Sequence, residues 1–335
     1  LANLLELANW GVDIFRLDAA IFIWKEKGTP CISLPQAFTL LKLFRLVLNA
    51  VAPGCVFIGE GVDRMEALLR YFGEGDGVQM MYQFPLTPLL WQALTTGDAR
   101  AIPKLLQQAP IPPYTHWWIF NGTHDELNLE VVSPETRQIL AKHLLPGNLP
   151  FKQTSPGLAP AGICGTTFSL LQGNLRKIRL LWQIQMSLGW TPMFYMGEEL
   201  GLPNNFSFQN DPARQQDNRF VKRNPLPESL KAKRHEPGTT ESDFFCTLCS
   251  LIQWRKSNPI LAAPPQFLDT ASNAVLGILK KNSEESIILL ANCSGEIKEA
   301  FVAGIAKTLQ PYEFIQIEES IKQNCPSKNH PPVLF

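Results

Sequence analysis

Five short apolar runs, at 12–17, 55–60, 78–83, 117–120 and 191–196, alternate with stretches of helical periodicity. That alternation constrains the fold more than any other feature. Strands apolar on both faces belong to a parallel sheet covered by helices, and strand–helix alternation builds such a sheet. Helices are expected at 1–10, 34–51, 65–72, 86–94, 100–108, 174–188 and 244–257. In the second of these, Leu34, Phe38, Leu41, Phe44, Leu48 and Val51 share one face, and Pro53-Gly54 ends it. Two stretches break the rhythm. Residues 127–172 are rich in Pro and Gly, with poor periodicity after His143, and read as a long excursion; such loops in compact domains are usually functional. Residues 202–242 read as a second polar loop. From about 264 the pattern changes to short strands at 274–279, 286–291 and 314–317, which predicts a small all-β unit. The tail after Glu319 is Pro-rich and polar and is expected to be poorly ordered.

The first apolar run carries an Arg and an Asp near its end. Side chains two apart on a strand face the same way, so Arg16 and Asp18 point to one side, and Phe15 and Leu17 to the other. A carboxylate held charged beside a fixed cation suits a nucleophile, but on the stretch alone a structural ion pair is the favoured reading. Further carboxylates follow other strands: Glu60 after the second, His124-Asp125 after the fourth, Glu198-Glu199 after the fifth. In (β/α)8 barrels and doubly wound sheets alike, reacting groups sit at the carboxyl ends of strands. Retaining glycosyl transfer uses one carboxylate as nucleophile and a second as acid and base, and a third can steady the positive sugar ring. Glu60 follows an apolar strand, and partial burial would keep it protonated as an acid. Each carboxylate alone could instead cap a helix; three in order after three strands favour chemistry.

Composition excludes several other classes. Lys+Arg and Asp+Glu both number 30 in 335 residues, which gives no electrostatic reason to expect nucleic acid or an anionic membrane as partner. No apolar run approaches the length of a membrane span. No G-x-G-x-x-G opens a helix, which argues against a dinucleotide-binding oxidoreductase. The seven cysteines are odd in number and scattered, and the lone C-x-x-C at Cys246 and Cys249 lacks a second ligand pair. Reduced thiols and a cytoplasmic location are the expectation, with no catalytic metal and no cofactor. The first residue, Leu1, sits in helical periodicity without an initiator Met, so the expectation is a segment of a longer protein.

These residues resemble the α-amylase superfamily of retaining α-glucosidases and transglucosidases. Gly11 through Ala19 is similar to its nucleophile motif, Phe57 through Gly61 to its acid/base motif, and Thr123-His124-Asp125 to its third-carboxylate motif, in the family's order. Within the superfamily the likeness is nearest to the amylosucrases. It is carried by Asp18-Ala19 with Phe22-Ile23-Trp24-Lys25, Gly28-Thr29, Cys31 and Leu34-Pro35-Gln36-Ala37, then Tyr195-Met196-Gly197-Glu198-Glu199, Asp217-Asn218-Arg219-Phe220, Arg223, and Leu309-Gln310-Pro311-Tyr312. The resemblance implies Asp18 as nucleophile, Glu60 as general acid/base and Asp125 as transition-state stabiliser. It implies substrate binding by Arg16, His124 and Arg219, and Glu126 is placed with them. Three positions depart from the amylosucrases: Gly122 stands where they carry Arg, Glu126 replaces an Asp, and Gly162 falls where they carry an acceptor-binding Arg. The run His124-Asp125-Glu126-Leu127 with Leu129-Glu130 is more similar to trehalose synthase, so a trehalose synthase-like or α-glucosidase activity, or an inactive remnant lacking the N-terminal half of the barrel, stands as the alternative expectation.

The resulting expectation is an α/β chain. Residues 1–260 would form the C-terminal part, about strands four to eight, of a TIM (β/α)8 barrel, with an inserted region at about 127–172. Residues 261–319 would form a small all-β domain, a β-sandwich, and 320–335 a tail. The expected partners are a small-molecule sugar (sucrose or another α-glucoside), a glucan or sugar acceptor, and a missing N-terminal half that supplies the first barrel strands.

Overall fold

A computed structural model describes residues 1–107, 110–152 and 158–319. Helix α1 (Ala2–Asn9) turns through Gly11, at φ 92°, into strand β1 (Ile14–Leu17). Helix α2 (Pro35–Val51) carries Pro in its first turn, where the missing N–H costs no hydrogen bond. There follow β2 (Val56–Gly59), α3 (Met65–Leu69), β3 (Met80–Tyr82), α4 (Leu86–Thr96), α5 (Ala101–Leu106) and β4 (His116–Phe120). The chain continues through β5 (Leu127–Asn128), α6 (Pro134–Leu144), β6 (Leu149–Pro150), β7 (Gly162–Cys164) and α7 (Thr167–Leu170). Then come α8 (Leu175–Ser187), β8 (Thr191–Met193), α9 (Glu228–Ala232) and α10 (Thr240–Ser257).

Strands β1, β2, β3, β4 and β8 form one parallel sheet in that order. Leu17 pairs with Gly59, Gly59 with Met81, Tyr82 with Trp118, and Phe120 with Met193. The ends of β1 and β2 are therefore level, those of β4 and β8 lie about three residues further along, and the residues just beyond all of them lie at the same end of the sheet. At Gly59 the sheet packs closely: a Cβ there would stand 2.6 Å from Met81 Sδ, so Met81 would have to shift. Among the described residues the sheet is open, with β1 and β8 as its edges.

The core lies between the sheet and its helices. Trp91, Trp117 and Trp182 are completely buried. Trp182 meets Phe194 and Phe244 edge-on, at centroid separations of 6.1 and 6.0 Å. Trp182→Ala is expected to cost about 3–5 kcal/mol, by analogy with other buried aromatics, and the midpoint of denaturant unfolding measures it. The side at α1, β1 and α2 differs. Trp10 is 70% exposed, Leu46 68%, Val51 64% and Ile14 58%. The apolar face expected for α2 is thus buried only in part: Leu41 and Leu48 are covered, whereas Val51 faces solvent.

Strands β9 (Gln266–Leu268), β10 (Val275–Lys281), β11 (Ser286–Asn292) and β14 (Phe314–Glu319) form an antiparallel sheet in the order β14-β11-β10-β9. Strands β12 (Lys298–Val302) and β13 (Ile305–Leu309) form a separate hairpin. One face of the larger sheet places Val275, Ile288 and Leu290 against Ala300, Val302 and Leu309 of the hairpin. From its other face Leu276, Ile278, Ile287 and Leu289 join the main core. This is why β11 is buried along its whole length.

Several expectations are corrected. Residues 127–172 are not a plain loop: β5, β7 and β6 form a small antiparallel sheet, and Ser133 caps α6 by accepting from the Thr136 N–H. The stretch 202–242 contains α9 and short 3-10 turns. Helix α10 begins at Thr240 rather than 244, because the Thr239 side chain accepts from the Ser242 N–H. Strand β8 ends at Met193, three residues early. The tail expected after Glu319 lies outside the described residues. Cys31, Cys55, Cys164, Cys246, Cys249 and Cys293 are free thiols. Among the described residues no helix is long and apolar enough to cross a membrane.

Candidate active site

Arg16 sits at the centre of the rim. Its Nη1 donates to Asp18 Oδ1 at 2.6 Å, its Nε donates to the Tyr82 hydroxyl at 3.1 Å, and its Nη2 lies 3.8 Å from Glu60 Oε2. The same Glu60 oxygen accepts the Ala19 N–H at 2.8 Å. One guanidinium thus joins the carboxylates at the ends of β1 and β2. The alternation expected in the first strand holds: Phe15 is buried and Arg16 faces outward. Asp18 is more open than a buried strand end would be, with its side chain 75% exposed. Glu60 is mostly covered, and burial raises its pKa, opposed by the Ala19 N–H and by Arg16. Neither Glu60 nor Asp125 caps the helix that follows its strand. After Glu60, α3 begins behind Arg64 with no side-chain cap, and after Asp125, α6 is capped by Ser133.

Asp125 lies in the loop after β4, five residues beyond Phe120. Its Oδ1 accepts from Arg219 Nη1 at 3.1 Å and from Arg223 Nη2 at 2.6 Å, and His124 Nε2 lies 3.3 Å from its Oδ2. Arg223 Nε also donates to the His124 carbonyl at 2.8 Å. Asp217 holds Arg219 in turn, through Nε at 2.9 Å and Nη2 at 2.9 Å, and these bonds raise the Arg219 pKa. Burial lowers the His124 pKa, which favours a neutral imidazole. Asp18 and Asp125 also raise the Glu60 pKa, less than burial does.

Beneath this rim the polar groups are buried. Glu198 is partly buried and accepts the Thr167 hydroxyl at 2.8 Å, and burial pushes its pKa up to about 7. The cavity there is walled by Gly122, Thr123, Thr167, Tyr195, Glu198 and Lys222, and neither Asp18 nor Glu60 contributes to it. A group whose folded pKa is raised stabilises the fold below its unfolded pKa and loses that contribution as pH rises through the folded value. Between pH 5 and 8 the protein is therefore expected to lose on the order of 1–3 kcal/mol through Glu198. Glu198→Gln should flatten that slope, as read from unfolding curves at the two pH values.

All seven residues singled out in the sequence belong to this rim. Arg16, Asp18 and Glu60 meet directly, and so do His124, Asp125 and Arg219. Glu126 lies beside them, largely buried, with Oε2 unpartnered; burial raises its pKa. At Gly162 a Cβ would stand 2.5 Å from Glu126 Cγ, so β7 approaches Glu126 too closely for a side chain. Sequence reasoning gave no role to Tyr82, Asp217 or Lys222. Asp217 carried a usable signal in its Asp-x-Arg-x-x-x-Arg spacing with Arg219 and Arg223; Tyr82 carried none.

Comparison with known proteins agrees with this architecture. No family model matches the chain. A trehalose synthase from Thermus thermophilus is 36% identical over 200 residues, which are 59% of this chain and 20% of that protein. A glucosylglycerate phosphorylase from Allomeiothermus silvanus is 29% identical over 299 residues, 83% of this chain and 53% of that protein. The chain therefore spans no more than about half the length of either relative. Among solved structures, the sucrose 6F-phosphate phosphorylase from Thermoanaerobacter thermosaccharolyticum superposes with a TM-score of 0.73 at 16% identity, over 91% of this chain and 61% of that one. An α-amylase from H. orenii gives 0.64 at 16% identity, over 94% and 62%. Together these likenesses give the chain the fold of these solved structures, and its sequence is similar to the trehalose synthase and the glucosylglycerate phosphorylase.

Proposed function

We propose that this chain carries the catalytic rim of a retaining α-glucosyl-transferring enzyme acting on sucrose or a related α-glucoside. The observation that carries the reading is Arg16, which joins Asp18 to Glu60 while Asp125 stands within electrostatic reach of Glu60. Asp18 attacks the anomeric carbon. Glu60, which burial holds toward its acid form, protonates the departing oxygen and afterwards takes the proton of the acceptor hydroxyl. Asp125, fixed by two arginines, stabilises the positive charge on the sugar ring. His124, Arg219 and Glu126 line the substrate. The amylosucrase-like motifs favour sucrose as donor and a glucan or sugar as acceptor.

A second reading, interconversion of maltose and trehalose, is favoured by the run from His124 to Glu130 and by the likeness to trehalose synthase. Incubation with sucrose, maltose and trehalose, each with and without phosphate, followed by product identification, separates the two. Release of fructose from sucrose supports the first. Conversion of maltose to trehalose with sucrose untouched replaces it by the second.

The reading includes a further partner, a βα-rich segment that extends the sheet at β1 and completes a barrel. The open edge at β1, the exposed Trp10, Ile14 and Leu46, and the openness of Asp18 support it. The expected outcome is a large gain in turnover when the chain is co-expressed with the product of the reading frame adjoining its gene. Equal turnover with and without that product would remove this partner from the account.

A further inference from the structure

An exposed Arg–Asp pair holds little order by itself, because solvent screens the attraction and both side chains retain rotamer freedom. Asp18 is open to solvent, yet Arg16 has a defined place between two carboxylates. The anchor is on the other side. Tyr82 is only 5% exposed, at the end of β3. Its ring stacks on Phe84 at 5.8 Å, and tilts against Trp118 at 5.1 Å and Phe120 at 5.5 Å. Three neighbours therefore fix the ring, and the ring fixes the hydroxyl. That oxygen accepts from Arg16 Nε at 3.1 Å and directs its own hydrogen toward Met193 Sδ at 3.8 Å, at the end of β8. The guanidinium carbon also stands 5.5 Å from the centre of the Tyr82 ring, within reach of a cation–π attraction. An Arg side chain is planar and forked, so anchoring Nε sets the directions of both terminal nitrogens. Nη1 then faces Asp18, and Nη2 faces Glu60.

We infer that Tyr82 is a positioning residue, whose hydroxyl fixes the Arg16 guanidinium between Asp18 and Glu60. Its kinetic consequence rests on the glucosyl-transfer reading above. A charge placed between a nucleophile and an acid/base group governs both. It pairs with the carboxylate that must stay ionised, and it limits how far burial favours the protonated form of the other. If Arg16 swings toward solvent, Asp18 loses its partner and Glu60 loses a nearby cation.

Tyr82→Phe removes the hydroxyl and leaves the ring in its stack, so the fold is expected to persist. The expected result is a kcat lower by roughly tenfold with KM unchanged within about twofold, since the interaction orients reacting groups rather than binding sugar. The alkaline limb of the pH–rate profile should move up, because Glu60 loses its nearby cation. Placed on an Arg16→Ala background, Tyr82→Phe should cause no further loss, because both changes remove one interaction. Hydrogen exchange at the Arg16 Nε–H, followed by NMR, reads the anchor without any turnover: protected in the wild type and fast in the variant. Unchanged exchange in Tyr82→Phe overturns the inference. So does a kcat and pH limb equal to wild type, or the same fold-loss with and without Arg16. Full activity in Asp18→Asn would instead sink the underlying reading, leaving the exchange result to judge Tyr82 by itself.

Discussion

Asp18→Asn is expected to lower glucosyl transfer by at least about a thousandfold while leaving the fold intact. The amide matches the carboxylate in size but cannot form the covalent bond that splits the reaction into two steps. Removing a group that acts covalently costs far more than removing a contact. Folding should hardly notice, because the Asp18 side chain is 75% exposed and its bond to Arg16 is a surface pair. Unfolding midpoints within about 0.5 kcal/mol of wild type are therefore expected. That contrast between lost turnover and kept stability separates a nucleophile from a structural ion pair, the two meanings the first strand allowed.

Glu60→Gln is expected to lower turnover by about 10²–10⁴-fold, the usual range for a missing general acid or base. The loss should shrink for donors whose leaving group departs without protonation. On the proposed reading the acid form of Glu60 is the working form, so the rate is expected to fall as pH rises through its pKa. Burial raises that pKa, which moves the alkaline limb upward, and Glu60→Gln should abolish the limb. Arg16→Ala should move it further up, because the guanidinium pulls the Glu60 pKa down. A limb that stays in place in Glu60→Gln would assign it to another group.

Much of this architecture is legible in the amino-acid sequence, because its signals are local. The strands of the parallel sheet are short apolar runs, and the carboxylates follow them directly, so strand order and the rim's acids can be read together. Features built from distant contacts are not legible. Tyr82 meets Arg16 across 66 positions and Arg223 meets Asp125 across 98, and neither separation has a periodic signature. Strands β5 and β7 are two and three residues long, too short to register as alternation. Strand β12 places Phe301 at 57% exposure beside the buried Ala300 and Val302, which blurs its period. The openness of Asp18 and the exposure of Val51 depend on what covers the β1 side of the sheet. Apolar periodicity marks the faces that can be buried, not which of them the chain covers by itself.

The most direct test of the central claim is to trap the glycosyl–enzyme. A glucosyl donor with fluorine at the 2-position reacts slowly and leaves a long-lived ester on the nucleophile, which peptide mapping by mass spectrometry can locate. One glucosyl-sized adduct is expected, on the peptide containing Asp18, absent in Asp18→Asn. An adduct on another carboxylate, or turnover of the natural donor with no adduct at all, would contradict that claim.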